Sequence, residues 1–71
     1  MKIRYFPDTD TLYIALADRA SSASQAITDN LIVDFDDQGR PVGVTLEHYS
    51  TISDTSTIET LLPIAPALQS A

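Results

Sequence analysis

Polar and apolar residues alternate from Lys2 to Phe6, with Ile3 and Tyr5 on one side and Lys2 and Arg4 on the other. Alternation at period two among β-forming residues predicts a strand. Pro7-Asp8-Thr9-Asp10 follows. Proline presets the backbone for a turn and aspartates bond back to nearby amides, so this stretch predicts a turn. Thr11 to Ala17 alternates again, with Leu12, Ile14 and Leu16 on one side and Tyr13, Ala15 and Ala17 on the other. These two strands and their turn predict a hairpin. Asn30 to Asp36 reads as a strand with Leu31, Val33 and Phe35 inward. Asp36-Asp37-Gln38-Gly39 is a turn in which glycine supplies a positive φ without steric cost. Pro41 to Leu46, with Val42, Val44 and Leu46 inward, completes a second hairpin. Proline at the start of that strand is a tolerated position.

The segments between and after the hairpins are less regular. Asp18 to Thr28 is small and polar through Arg19-Ala20-Ser21-Ser22-Ala23-Ser24-Gln25 and reads as a loop, with a candidate short strand near Gln25 to Thr28. Ser50 to Thr60 is rich in Ser and Thr, and Ser56-Thr57-Ile58-Glu59 fits a capping box. A short helix from about Thr57 to Leu62 is predicted, ended by Pro63 and Pro66. The expected fold is α+β in a single small domain, 1–71. The sheet occupies about 2–46, the Ser/Thr-rich connection and short helix about 50–68, and a frayed end covers Gln69-Ser70-Ala71. The helix is expected on one face of the sheet. The expected core is Ile3, Tyr5, Leu12, Ile14, Leu16, Leu31, Val33, Phe35, Val42, Val44, Leu46, Ile58, Leu61 and Leu62. On the other face, Phe6, Tyr13, Ala15, Ala17, Ile32 and Gly43 are too apolar to stay in water. Phe6, Tyr13 and Ile32 are therefore the candidate interface residues.

Size makes that second face matter. A chain of 71 residues has room for one domain, and so small a core needs a staple. No cysteine is present, which excludes disulfides and thiolate metal sites, and one histidine excludes a His pair. Packing and self-association remain, and a homodimer or higher oligomer is expected. The net charge is −6, and the four bases Lys2, Arg4, Arg19 and Arg40 form no cluster that would track a phosphate backbone. Direct nucleic-acid binding is not expected. No apolar run follows Lys2 and Arg4, and no stretch approaches the roughly 20 residues of a membrane span. A cytoplasmic protein with no membrane contact is the expectation.

Tyr5-Phe6-Pro7-Asp8-Thr9-Asp10-Thr11-Leu12-Tyr13-Ile14 resembles the opening of a family of small bacterial proteins named domain of unknown function 2283. Val33-Asp34-Phe35-Asp36-Asp37-Gln38-Gly39-Arg40-Pro41-Val42-Gly43-Val44 resembles that family's strand, Asp-rich glycine turn and following strand. The resemblance spans about Lys2 to Leu46. Phe6 stands where the family usually carries an acid, and the tail after Tyr49 is longer and richer in Ser and Thr. The resemblance implies membership of small two-gene modules of toxin–antitoxin type, an association rather than a mechanism.

Candidate chemistry is sparse. Asp34-x-Asp36-x-Gln38-Gly39 imitates the start of a calcium loop, but its twelfth position is Thr45 rather than an acid, so a turn accounts for it. Asp8 and Asp10 sit on the first turn, where solvated carboxylates make poor general acids. His48, beside Glu47, Tyr49 and Ser50, is the one group for proton transfer near neutral pH, and a strand-end or interface role is expected for it. Gly39 and Gly43 flank a hairpin rather than a strand–helix junction and form no phosphate loop. No catalytic residue, cofactor or metal is expected. The first functional reading is a non-catalytic, self-associating protein-interaction module. The alternatives are an antitoxin-like partner of a basic toxin, and a small enzyme with a dimer-interface site near His48 and Glu47.

Overall fold

The structure, a computed structural model, describes residues 1–55 and 57–61. Strands β1 (Lys2–Phe6) and β2 (Thr11–Ala15) pair antiparallel, with Tyr5 opposite Leu12 and Ile3 opposite Ile14. β3 (Ala23–Ala26) pairs with β4 (Leu31–Phe35), and β4 pairs with β5 (Pro41–Leu46), all antiparallel. β2 closes the sheet against β5, giving the order β1-β2-β5-β4-β3. The sheet is antiparallel, as the alternation predicts, and it has five strands. The added strand lies within the segment read as loop and spans Ala23–Ala26, two residues earlier than the candidate strand near Gln25 to Thr28. Its alternation is hidden because its side chains are small or polar and exposed, as an edge strand permits. β2 also stops at Ala15 rather than Ala17, although Leu16 and Ala17 still donate to the Val42 carbonyl at 2.9 and 3.3 Å.

The fold is mostly β, with α1 (Tyr49–Ile52) the one short helix among the described residues. The helix predicted over Thr57–Leu62 is corrected: Thr57–Leu61 carry no regular structure, and Ser56 and Leu62 lie outside the described residues. The physical reason is visible at Ile58 and Leu61, which are 59% and 85% exposed. A six-residue helix is far below the length that sustains itself, so it forms only when its apolar side is packed. The frayed end at 69–71 also falls outside the described residues.

Residues opposite each other in an antiparallel register share a side of the sheet, so the pairing sorts the strands. One row runs Ile3, Ile14, Val44, Val33 and Gln25, and a second runs Tyr5, Leu12, Leu46 and Leu31. The opposite side carries Arg4, Tyr13, Thr45 and Ile32, with Lys2, Phe6, Ala15, Gly43, Asp34 and Ser24. The register slips between Asp34 and Phe35, which face Gly43 and Pro41 and leave Val42 as the extra residue of a bulge.

The strand residues of the predicted core share one side of the sheet, as their parity requires, but most of them are not buried. Leu12 and Val42 are the buried apolar side chains among the described residues. Ile14, Leu31, Val33, Phe35, Val44 and Leu46 are half-buried, while Ile3, Tyr5 and Leu16 are exposed. A sheet buries an apolar face only against a second layer. The described chain supplies one over a single end, where Tyr49, Ser53 and Ile58 line a groove with Tyr5 and Leu12.

Candidate functional site

Two carboxylates organise the polar chemistry, and each fastens a distant segment. Asp10 ends the turn between β1 and β2 with φ 54°, a left-handed conformation that Asp tolerates better than most residues. Its carboxylate accepts hydrogen bonds from Tyr5 Oη at 2.7 Å, Ser50 Oγ at 2.6 Å and the Ser50 amide at 3.1 Å. Its carbonyl accepts from the Tyr49 amide at 2.9 Å. Asp10 thus caps α1 across 40 positions of sequence. His48, at the cap position itself, also has a positive φ of 53°, and its side chain bonds no helix amide. Here the expectation of a merely solvated acid is corrected. Asp10 lies below the ordinary carboxylate pKa, chiefly through the Ser50 hydroxyl and then the Tyr5 hydroxyl, while Tyr5 is raised by the same bond. A carboxylate held as an anion accepts hydrogen bonds well, and it is poorly suited to give up a proton near neutral pH.

Asp36 is the buried polar side chain of the described residues, 5% exposed. Its Oδ1 accepts from the Gln38 and Arg40 amides at 2.9 and 2.8 Å. Its Oδ2 accepts from Arg19 Nε and Arg40 Nε, both at 2.8 Å. Gly39, at φ 79°, completes the turn. The Arg40 amide is the largest influence holding the Asp36 carboxyl down at about 2, with the Gln38 amide and the two guanidinium groups adding to it. Arg19 belongs to the loop between β2 and β3, so this knot ties that loop to the β4–β5 turn. Both Asp36 oxygens are occupied by the protein's own donors. Asp34, its neighbour in the calcium-like run, accepts from Ser24 Oγ at 2.6 Å. Among the described residues no group of three or more His, Cys, Asp or Glu is placed to hold a metal ion.

The candidate interface residues Phe6, Tyr13 and Ile32 do share one side of the sheet. That side is partly dressed by its own polar groups. Arg4 lies over the Phe6 ring at 5.7 Å. The Tyr13 ring crosses the backbone of Gly43, where a Cβ would collide with Tyr13 Oη and stand 3.0 Å from its Cζ and 3.3 Å from Asp34 Oδ2. This is the close approach that a glycine inside a strand signals. His48 is exposed, and its backbone carbonyl accepts from the Thr51 amide at 3.0 Å and from Thr51 Oγ1 at 2.7 Å. Asp8 is exposed on the turn. Tyr5 and Tyr49 meet with ring centroids 5.8 Å apart and form one wall of the groove beside Leu12.

Residues 2–50 match the model of the family described as protein of unknown function (DUF2283). The chain belongs to this family. No curated protein and no solved structure matches it. The family match takes in all five strands and ends at Ser50, the residue that Asp10 caps, so the DUF2283 region includes both carboxylate clusters. Sequence reading missed the partners of both. Asp10 and Ser50 are too far apart for any local pattern, and Arg19 sits in a segment whose composition reads as loop. No helix among the described residues is long and apolar enough to cross a membrane.

Proposed function

We propose that this DUF2283 chain is a non-catalytic protein-interaction module that associates with itself. The observation that carries the reading is the thin core: a five-stranded sheet in which Leu12 and Val42 are the buried apolar side chains among the described residues. Small domains without disulfide or metal rarely hold together on so little. The chain has no cysteine, so burial between chains is the remaining staple. The two carboxylate clusters support a structural role, because each is saturated by the protein's own donors. Sedimentation equilibrium at micromolar concentration tests the proposal, and a stably folded monomer there overturns it.

A second reading, an antitoxin-like module that binds a basic protein, is favoured by the net charge of −6 and by the lack of Lys or Arg from Pro41 to Ala71. Such binding weakens as salt rises, since electrostatic steering is screened within about 8 Å at physiological ionic strength. A partner held equally well at low and high salt would remove it. The enzyme reading near His48 and Glu47 would require a second chain to supply the groups that orient the imidazole. In either reading the site is expected to lie in the cytoplasm and away from nucleic acid and membranes.

A further inference from the structure

We propose that a second copy of this chain covers the Val44 side of the sheet, face to face, and that the side bearing Tyr13 and Ile32 stays turned to solvent. The proposal rests on the self-association reading and names the surface that performs it. Val44 is on the central strand, flanked by Ile14 on β2 and Val33 on β4, and all three are half-buried. Phe35 is half-buried too, and Ile3 is 41% exposed. Among the described residues, Tyr49, Ser53 and Ile58 line a groove at the end near Tyr5 and Leu12, and that groove does not extend to Ile14, Val33 or Val44.

Charge selects the occupant. A two-fold contact sets each residue group against its own copy, so any net charge on the patch meets the same charge. For a chain of net charge −6, self-contact is cheapest through a surface that carries none of it. No strand residue on the Val44 side is charged, whereas the opposite side holds Lys2, Arg4 and Asp34. An uncharged patch also offers nothing specific to a basic protein, which separates this contact from any acidic docking surface. Geometry agrees, since two antiparallel sheets pack about 10 Å apart as a sandwich with their apolar sides together. The described residues form a single sheet, and the second sheet of the sandwich is then its own copy.

The absence of native cysteine allows a clean mapping experiment on the full chain. Val44→Cys and, separately, Ile32→Cys are treated with a short bis-maleimide, and each is examined by sedimentation equilibrium. Val44→Cys is a small change that leaves the sheet intact, so loss of folding does not confuse the result. The expected outcome is a covalent dimer from Val44→Cys and none from Ile32→Cys. Val44→Glu should raise the dimer dissociation constant by about 30-fold or more, the scale of losing a central anchor. Tyr13→Glu should leave it unchanged. Cross-linking at Ile32 but not Val44 overturns the assignment of the face and leaves self-association standing. A dimer that cross-links at neither position also overturns it, in favour of pairing through an edge strand. A folded monomer removes both the face and the self-association reading.

Discussion

Leu12→Ala is the sharpest stability test of this thin-cored sheet. Leu12 is 7% exposed, lies between Tyr5 on β1 and Leu46 on β5, and backs the groove lined by Tyr49 and Ile58. Truncation removes three carbons, and about 0.8 kcal/mol per buried carbon gives roughly 2.4 kcal/mol of lost transfer free energy. A cavity normally adds to this, but the groove beside Leu12 opens to water, so the site belongs near the low end of the usual 2–5 kcal/mol. The expected loss is about 2–3 kcal/mol. At roughly 0.05–0.15 kcal/mol per residue the whole chain holds about 4–11 kcal/mol, so this one change removes a large share. Urea unfolding at fixed protein concentration measures it. With a slope near 1 kcal/mol per molar, the midpoint should fall by about 2–3 M. Leu61→Ala, at a residue 85% exposed, serves as the comparison and should move stability by no more than about 0.5 kcal/mol. A loss below about 1 kcal/mol at Leu12, or equal losses at the two positions, would refute the packing argument.

Acid should loosen the structure in a defined window. The Asp36 carboxyl is lowered from 3.8 to about 2, so its contribution to stability is fully present above the ordinary value and disappears as pH falls through about 2. Asp10 is lowered as well and acts in the same direction. Stability followed by circular dichroism from pH 5 to 2 should therefore fall, and Asp36→Asn should flatten that fall by removing the titrating group. Asp10→Asn keeps the side chain's size but removes the anion that caps α1. Hydrogen exchange at the Tyr49 and Ser50 amides should then speed up while the β4 and β5 amides hardly change. Arg19→Ala should accelerate exchange across 18–22 more than across β1. Calcium titration by calorimetry should show nothing tighter than millimolar, since both Asp36 oxygens already accept from backbone amides and arginines, and a micromolar site abolished by Asp36→Asn would show the turn to be a metal loop.

The strands that alternate strongly were legible. β1 and β5 have the boundaries that period-two patterning gives, and β4 differs by one residue at each end. Their periodicity comes from large branched side chains, which is what the pattern detects. β3 overlaps the candidate strand near Gln25 to Thr28 but starts two residues earlier, because Ala23-Ser24-Gln25-Ala26 has no large apolar residue to mark a side and its pairing with β4 comes from backbone hydrogen bonds instead. The helix over Thr57–Leu62 failed for the opposite reason. Its capping pattern is local and sound, but Ile58 and Leu61 stay 59% and 85% exposed, and local propensity alone does not sustain so short a segment. α1 went unread because its cap is not in its own sequence. Asp10 supplies it from the first turn, and only the tertiary structure brings that carboxylate to Ser50.

Alternation also carries a limit that bears on function. It states which residues share a side, and it is symmetric about which side is covered. Reading the Leu12–Val33–Val44 side as core required a covering element, and the predicted helix filled that place. This left Phe6, Tyr13 and Ile32 as the surplus apolar surface. With Thr57–Leu61 not helical, that covering element is missing among the described residues, and the Val44 side becomes a second candidate for the contact. Under the proposed face-to-face contact the surplus is instead the Val44 side, whose strand residues carry no charge, while the Tyr13 side has an arginine over Phe6 and a tyrosine laid across Gly43. One helix that does not form among the described residues thus bears on which side the proposed contact uses, without moving any strand. The charges favour the proposed Val44 contact: Lys2, Arg4 and Asp34 lie on the Tyr13 side, where a contact that buried them would cost their hydration.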